Sequence, residues 1–374
     1  MSEERLVPKL RFSGFSDVWE SYKIGDISKT YSGGTPSTSK REYYEGDIPF
    51  IKSGEICKDK TEHYIDEIAI NNSSAKKIKK GDLLLALYGA TSGEVAISKI
   101  DGAINQAVLK IDNNMDNYFQ YNYFLKYKDK IVHKYIQGGQ GNLSANIIKK
   151  LEFKFPKLDE QKRISQFLLL MDKKIDLLEN KLQYYQDFKK YLMQRIFTQN
   201  LRFDFDNVKL KNISKINKGK QLNKDDMVET GIFHVLNGGK EPSGYTNAWN
   251  TPENTITISE GGNSCGYVNF NTEKFWSGGH CYYLDNLAEK VDGYYLYSYL
   301  KFIEPKIMRL RVGSGLPNIQ KGDIENIKVK IALPTEQQRI SNLLYSTDEK
   351  IINIANQKDN FELFKKGLLQ QMFV

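Results

Sequence analysis

The stretch "EQKRISQFLLLMDKKIDLLENKLQYYQDFKKYLMQRIF" occupies residues 160–197, and a second version, "EQQRISNLLYSTDEKIINIANQKDNFELFKKGLLQQMF", occupies residues 336–373. The two copies align without a gap at an offset of 176 residues (336 − 160), so that Ile164, for example, matches Ile340. A long segment that occurs twice predicts a chain built from two related halves.

Apolar residues recur in the central copy at steps of four and three, which is the heptad pattern of a helix with an apolar seam. The second copy keeps this register, weakened by Thr347, Lys358 and Lys365. The seam of the central copy is Ile164, Leu168, Met171, Ile175, Leu178, Leu182, Tyr185 and Leu192. The seam of the second copy is Ile340, Leu344, Ile351, Ile354, Phe361 and Leu368. One such stripe alone equally fits an ordinary core-facing helix, but two matched copies favour pairing with each other.

The direction of this pairing follows from the size of the segment between the copies. A helix of 38 residues is about 57 Å long, whereas a compact domain formed by residues 200–335 is only about 36 Å across. That domain is too small to return the chain to the start of a parallel partner. We therefore expect an antiparallel coiled coil with a globular lobe at each end, related by an approximate two-fold axis.

The segments before each long helix indicate lobes of mixed α and β structure. "GDIPFIKSGEI", "KKGDLLLALYGA", "GEVAIS" and "AINQAVLKI" are apolar runs bounded by Gly and Asp, as is typical of short strands. "NYFQYNYFLKYKDKIVHKYI" has the spacing of a helix whose aromatic face packs on a sheet. The predicted fold class is α+β with mixed sheets. The predicted boundaries are a first lobe at 1–156, a helix at 157–199, a second lobe at 200–333 and a helix at 334–374.

The composition limits the classes of function. A net charge of +8 and a pI near 9.0 are compatible with a polyanionic partner. Three cysteines without CxxC spacing and only four histidines argue against a metal site and favour the reducing cytoplasm. No apolar run is long enough to span a membrane.

In its motifs and their order, the chain resembles the specificity subunits of type I restriction–modification systems. The resemblance covers nearly the whole length. It is carried by "LRFSGF" with "WESYKIGDI", then "YSGGTPS", then "GDLLLALYGATSGEVAI" with "GAINQAV", then "GQGNLS" and "EQKRIS" leading into the long helix. The second lobe departs from the pattern, since "NKGKQLN" stands where the first has "SGGTPS".

The resemblance implies that each lobe is a target recognition domain for one half of a split DNA sequence. It also implies that the two seam helices are a spacer on which two methyltransferase subunits and the restriction subunits dock. S-adenosylmethionine, ATP and magnesium would be bound by those partners, and this chain would be non-catalytic.

Candidate DNA-binding residues are the hydroxyl, amide and basic side chains of the Gly-rich loops and strand ends, because such groups contact phosphates and base edges. In the first lobe they are Lys29, Ser32, Gly33, Gly34, Thr35, Ser37, Lys40, Arg41, Lys76, Lys77, Tyr88, Thr91, Ser92, Asn105 and Gln106. In the second lobe they are Lys218, Lys220, Asn237, Asn263, Ser264 and His280, with His280 matched to Asn105 at an offset of 175. Each loop is alternatively an ordinary surface turn.

Two other classes of function compete with DNA recognition. A stand-alone DNA methyltransferase or nuclease would need its own catalytic motif, and neither an Asn-Pro-Pro or Asp-Pro-Pro motif nor a GxxxxGK[ST] loop occurs in the chain. A two-lobed coiled-coil scaffold that binds a non-DNA partner needs no motif and is the remaining alternative.

Overall fold

The computed structural model describes residues 7–136, 142–198, 205–313, 315 and 317–374. These residues form two compact units. The first unit comprises the described residues up to Leu178 together with Gln357–Val374, and the second comprises Glu179–Asn356. The predicted start of the second lobe, at residue 200, lies outside the described residues. Within the described ranges, no helix is both long and apolar enough to cross a membrane.

The first unit contains a lobe of mixed α/β structure and segments of the two long helices. Its strands are β1 Glu20–Lys23, β2 Lys29–Ser32, β3 Ile48–Ile51, β4 Tyr64–Ile65, β5 Lys76–Ile78, β6 Leu83–Ala86, β7 Val95–Ile97, β8 Gly102–Ile104, β9 Val108–Asp112 and β10 Glu152–Phe155. Its helices are α1 Ile24–Ile27, α2 Glu67–Asn71, α3 Asn117–Ile136, α4 Ala145–Lys149 and the first part of α5 Leu158–Phe197. The strand orders are β1-β10, β2-β9-β6-β7 and β4-β3-β8-β5, with β3 and β8 parallel.

The second unit repeats this topology. Its strands are β11 Phe205–Lys209, β12 Lys215–Lys218, β13 Phe233–Leu236, β14 Gly244–Thr246, β15 Thr255–Ser259, β16 Val268–Asn271, β17 Trp276–Ser277, β18 Cys281–Asp285 and β19 Lys328–Ala332. Its helices are α6 Gly293–Phe302, α7 Glu304–Met308, α8 Lys321–Glu325 and part of α9 Pro334–Met372. The orders β11-β19 and β12-β18-β15-β16 match β1-β10 and β2-β9-β6-β7, and β14-β13-β17 matches β4-β3-β8, with β13 and β17 parallel. Strand β5 has no counterpart among the described residues of the second unit.

An aspartate begins the aromatic helix of each lobe and ties it to a long helix. Asp116 accepts the Phe119 amide at 2.8 Å and the Ser165 hydroxyl at 2.5 Å. Asp292, 176 residues later, makes the matching contacts with the Tyr295 amide and the Ser341 hydroxyl. An aspartate in this position satisfies an amide that the first turn of a helix leaves without a partner.

Helix α3 supplies the aromatic core of the first lobe. Phe119 and Tyr123 are fully buried, and the Tyr123 ring stacks on Phe153 of β10 with 4.3 Å between centroids. The prediction that the aromatic face packs on a sheet is confirmed. These rings are therefore buried in the core and are not accessible to a ligand.

The long helices run antiparallel within each unit. In the first unit, Leu168 near the start of α5 shares a core with Leu368 near the end of α9. In the second unit, Ile196 near the end of α5 shares a core with Leu344 near the start of α9. All fourteen predicted seam residues are buried or half-buried. The predicted fold class, with mixed sheets, two long antiparallel helices and an internal duplication, is confirmed.

The motif "LRFSGF" of the first unit has a structural role. Arg11 makes two hydrogen bonds with the buried carboxylate of Glu160, at 2.8 and 2.7 Å. Phe12 packs edge-on against Phe167, with 5.6 Å between ring centroids. Two-point pairing of a guanidinium with a carboxylate fixes orientation as well as distance. The N-terminal segment is thereby held on the first turns of α5.

Candidate nucleic-acid interface

The Gly33-Gly34 turn of the first lobe lies directly against the loop between β8 and β9. Both glycines are buried, and the Gly33 amide donates to the Asn105 carbonyl at 3.1 Å. A Cβ atom at Gly33 would lie 1.7 Å from the Ile104 carbonyl oxygen, a distance at which a side chain cannot exist. Close packing of two backbones therefore explains the glycine at this position.

A cluster of uncharged polar side chains lies next to this turn. The Thr35 hydroxyl donates to Gln106 Oε1 at 2.6 Å, and both side chains are exposed. Tyr88 is half-buried, and burial raises the pKa of its phenol, an effect that Gln106 partly offsets. The cluster offers an amide and hydroxyls to a ligand and carries no charge at neutral pH.

The other predicted residues of the first lobe are distributed over its loops and over strands β2 and β5. Lys40 donates to the Tyr43 hydroxyl at 2.9 Å, Lys77 forms an exposed ion pair with Glu67 at 2.5 Å, and the Ser92 hydroxyl donates to the Leu87 carbonyl at 2.8 Å. Lys29, Ser37, Arg41 and Lys76 are exposed, whereas Ser32, Thr91 and Asn105 are half-buried. Their assignment to DNA stays a prediction.

A buried carboxylate organises the corresponding part of the second lobe. Glu260 Oε1 lies 2.6 Å from Lys218 Nζ and accepts the Tyr282 hydroxyl at 3.1 Å. Glu260 Oε2 lies 3.5 Å from His280 Nδ1. Burial and the Glu260 carboxylate raise the pKa of Tyr282 to about 12, so this phenol remains a donor at neutral pH.

Two further polar side chains line the same loops of the second lobe. The His280 amide donates to Asn237 Oδ1 at 3.3 Å. Cβ atoms at Gly278 and Gly279 would lie 2.6 Å from Asn237 Oδ1 and 2.8 Å from Gln221 Oε1. Because glycine has no side chain, the Asn237 and Gln221 amides can approach the backbone at these positions. Asn237, Lys218 and His280 are thus brought together.

The remaining predicted residues of the second lobe lie in neighbouring turns. Lys220 is exposed and follows the end of β12, and its carbonyl accepts the Trp276 indole N–H at 2.8 Å. Asn263 and Ser264 belong to a short 3₁₀ turn after β15, and Asn263 is the more exposed of the two.

Strand pairing changes one correspondence between the lobes. The Leu87 amide donates to the Ala107 carbonyl at 2.8 Å, and the Glu260 amide donates to the His280 carbonyl at 2.9 Å. His280 therefore corresponds to Ala107, at an offset of 173 residues (280 − 107). The predicted match with Asn105 was wrong because it used an offset of 175, two residues too many. Glu260 corresponds to Leu87, and no sequence motif had singled it out. The one available indication was a charged residue at a strand end where the other copy has leucine.

The two clusters thus lie in corresponding loops of a duplicated frame, at neighbouring positions, and carry different chemistry. Amides and hydroxyls in the first lobe suit base edges that need both a donor and an acceptor, whereas the ammonium in the second suits acceptor groups. A family model described as "Type I restriction modification DNA specificity domain" matches residues 16–184 and again residues 203–362.

The chain belongs to the type I restriction–modification DNA specificity family. The two matches together span most of the chain, one for each half of the internal duplication. DNA target specificity in a restriction–modification system is the function that this membership supports, and it gives no support to the scaffold alternative.

Curated members of the specificity family align with nearly all or about half of the chain. The specificity subunit of the type I restriction enzyme MjaIX of Methanocaldococcus jannaschii is 27% identical over 93% of this chain and 90% of its own length. The EcoR124I/EcoR124II specificity subunit of Escherichia coli is 27% identical over 50% of this chain and 54% of its own length.

The fold is shared with a solved structure of the specificity family. The type I restriction–modification S subunit of Mycoplasma genitalium superimposes with a TM-score of 0.74 and covers 98% of this chain and 99% of its own. Its sequence identity is 17%, so this likeness concerns the fold alone.

Proposed function

We propose that this chain reads a bipartite, asymmetric DNA sequence, with one half-site recognised by each lobe. The observation that carries the proposal is the pair of chemically different polar clusters in corresponding loops of a duplicated frame. A symmetric target would require two similar readers. The neutral Thr35–Gln106 cluster and the charged Lys218–Glu260 cluster differ in every side chain that faces a ligand.

We further propose that the chain itself catalyses no reaction and assembles with two methyltransferase subunits and with restriction subunits in the cytoplasm. S-adenosylmethionine, ATP and magnesium belong, in this proposal, to those partners. Family membership supports an assembly of this kind. Among the described residues, no group of three or more His, Cys, Asp or Glu side chains is arranged to hold a metal ion.

The surface proposed for the methyltransferase subunit is the outer face of α5. The predicted seam residues, such as Leu168 and Leu178, are buried within the protein and hold it together. In the first unit, Leu170 and Leu177, spaced by seven residues, are 64% and 65% exposed. Large exposed apolar side chains at heptad spacing suit the apolar face of a partner helix.

The test is a comparison of DNA methylation in cells that carry this gene and its methyltransferase partner with cells from which this gene alone is deleted. We expect one split, asymmetric motif to lose methylation in the deletion strain and to return with the intact gene. Unchanged methylation, with a demonstrably active methyltransferase, would contradict the proposal.

A binding measurement tests DNA recognition separately from methylation. The assembled complex should prefer duplexes carrying the motif, and its affinity should fall steeply as salt increases, because phosphate contacts release bound counterions. Equal affinity for duplexes with and without the motif would count against sequence recognition.

A further inference from the structure

The first lobe forms the same strand frame as the second lobe without a charged cluster. Strand β12 pairs Lys218 with Tyr282, just as β2 pairs Ser32 with Leu109. The backbone hydrogen bonds of the two loops also match, as shown above for Glu260 and Leu87. The first lobe builds the same frame with these uncharged residues: Ser32, Leu87, Ala107 and Leu109.

The carboxylate at Glu260 is therefore an unusual choice. Its side chain is only 6% exposed, and a buried charge costs free energy unless it is paired. Leucine at the equivalent position avoids that cost in the first lobe. Because the same frame accepts leucine at this position, we attribute the carboxylate of Glu260 to the side chains that it contacts.

The Glu260 carboxylate lies beside two side chains that reach solvent. The Lys218 side chain is 50% exposed and that of His280 is 62% exposed. Lysine has three N–H donors, and the contact with Glu260 Oε1 leaves two for a ligand. Glu260 Oε2 accepts no hydrogen bond from the described residues, and His280 Nδ1 lies 3.5 Å from it.

The orientation of His280 determines what its other nitrogen offers. A histidine ring that turns Nδ1–H towards a carboxylate presents Nε2 as an acceptor. Lys218 then supplies donors and His280 an acceptor from two points on the same carboxylate.

Two adjacent donors beside one acceptor match one base pair. In the major groove, guanine shows two acceptors, N7 and O6, and its cytosine partner shows an amino donor at N4. An A·T pair places the amino donor of adenine between its two acceptors, so two adjacent lysine donors meet only one acceptor there.

We propose that Lys218 and His280, positioned by Glu260, read a G·C base pair in the half-site of the second lobe. Lys218 donates to guanine and His280 Nε2 accepts from cytosine, while Glu260 touches no base and acts through the other two. This inference rests on the proposed function and adds the base pair that one lobe selects.

The experiment uses the full-length chain assembled with its methyltransferase subunit. The variants are Lys218→Gln, Lys218→Arg, His280→Ala and Glu260→Gln, with Lys211→Gln as a control that removes an exposed lysine elsewhere in the second lobe. Methylated motifs are mapped genome-wide, and binding is measured on duplexes that vary each position of the motif in turn.

We expect Lys218→Gln and Glu260→Gln to reduce discrimination at the same single G·C position by roughly 5- to 150-fold, the range for one good base contact. His280→Ala should weaken selection of the same pair. Lys218→Arg should keep the preference for guanine, and Lys211→Gln should leave the motif unchanged. Melting temperatures identify any variant that fails to fold. If Glu260→Gln fails to fold, the Lys218→Gln variant still tests the proposal, because the Lys218 side chain is exposed.

Three results would overturn the inference while leaving the proposed function intact. They are an unchanged motif in folded Lys218→Gln, a change confined to an A·T position, and an equal loss of affinity for all sequences, which would indicate a phosphate contact. If the unmodified complex has no bipartite motif, the proposed function fails and the inference fails with it.

Discussion

Lys189 Nζ lies 2.6 Å from Asp348 Oδ2, which joins the two long helices within the second unit. The Tyr294 hydroxyl of α6 donates to the same carboxylate. The first unit repeats this arrangement at an offset of 176, since Lys365 Nζ lies 2.5 Å from Asp172. One carboxylate in each unit thus connects both long helices and the aromatic helix of the lobe.

The Lys189–Asp348 pair should contribute measurably to stability because its side chains are only 17% and 22% exposed. In a double-mutant cycle with Lys189→Met and Asp348→Asn, we expect a coupling energy of about 1 kcal/mol, at the upper end for ion pairs near a surface. Urea denaturation of the four proteins measures it. Lys190→Met, at the exposed neighbouring position, is the control, and additive effects of the two substitutions would show that the pair is not coupled.

Stability should fall at alkaline pH through buried tyrosines. Burial and nearby Asp172 raise the pKa of Tyr121 to about 12 from an ordinary value of 10.0. Above pH 10 the unfolded chain has lost a proton that the folded chain still holds, so unfolding becomes easier as pH rises towards 12, whereas the full contribution is present below pH 10.

The variant Tyr121→Phe should lack this component. Between pH 9 and pH 11 the variant should therefore lose less stability than the unmodified protein. The difference in their loss of unfolding free energy should be about 1 kcal/mol. Denaturation at both pH values tests this, with Tyr64→Phe at an exposed position as the comparison. An identical pH profile for Tyr121→Phe and the unmodified protein would contradict the pKa shift.

Gly33→Ala should destabilise the first lobe by about 3 kcal/mol, because the new methyl group would meet the Ile104 carbonyl at 1.7 Å and the backbone has to move. Gly54→Ala is the matched control, since a Cβ there meets nothing within 4 Å, and its effect should stay within about 0.5 kcal/mol. Thermal and urea denaturation compare the two. Equal stability would mean that the turn adapts without cost.

The double substitution Leu170→Ser and Leu177→Ser should weaken binding of the methyltransferase subunit by about 10-fold or more, since each leucine loses the free energy of burial against a partner. Both side chains are exposed in the isolated protein, so its melting temperature should hardly change. Titration calorimetry measures the affinity. Ile68→Ser, an equally apolar change at 57% exposure in the first lobe, is the control, and a similar loss there would refute a specific surface on α5.

The periodic segments of the chain were predictable because their patterns are local. The seam of four- and three-residue steps predicted both long helices, and α5 and α9 follow it closely. The aromatic helix was likewise predictable, and α3 begins and ends at the predicted residues. In each case one face of a helix must be apolar to be buried, and that requirement is visible in the residue spacing.

The polar clusters were only partly predictable. Lys218 was identified as a basic residue beside a glycine turn and His280 as a residue at a strand end. They are 62 positions apart, and their common partner Glu260 was missed. The pattern of one loop contains no information about which carboxylate another strand brings beside it.

The amino-acid sequence by itself determined the duplication, the long helices, the α+β class and the resemblance to DNA specificity subunits, because repeats and periodicity depend on residues close in the chain or identical between halves. Only the tertiary structure decided which side chains meet. Strand register sets Glu260 against His280 and Leu87 against Ala107, and a shift of one residue would turn each side chain to the opposite face of its sheet. Contacts between distant segments depend on that register, and so does the chemistry that each lobe presents.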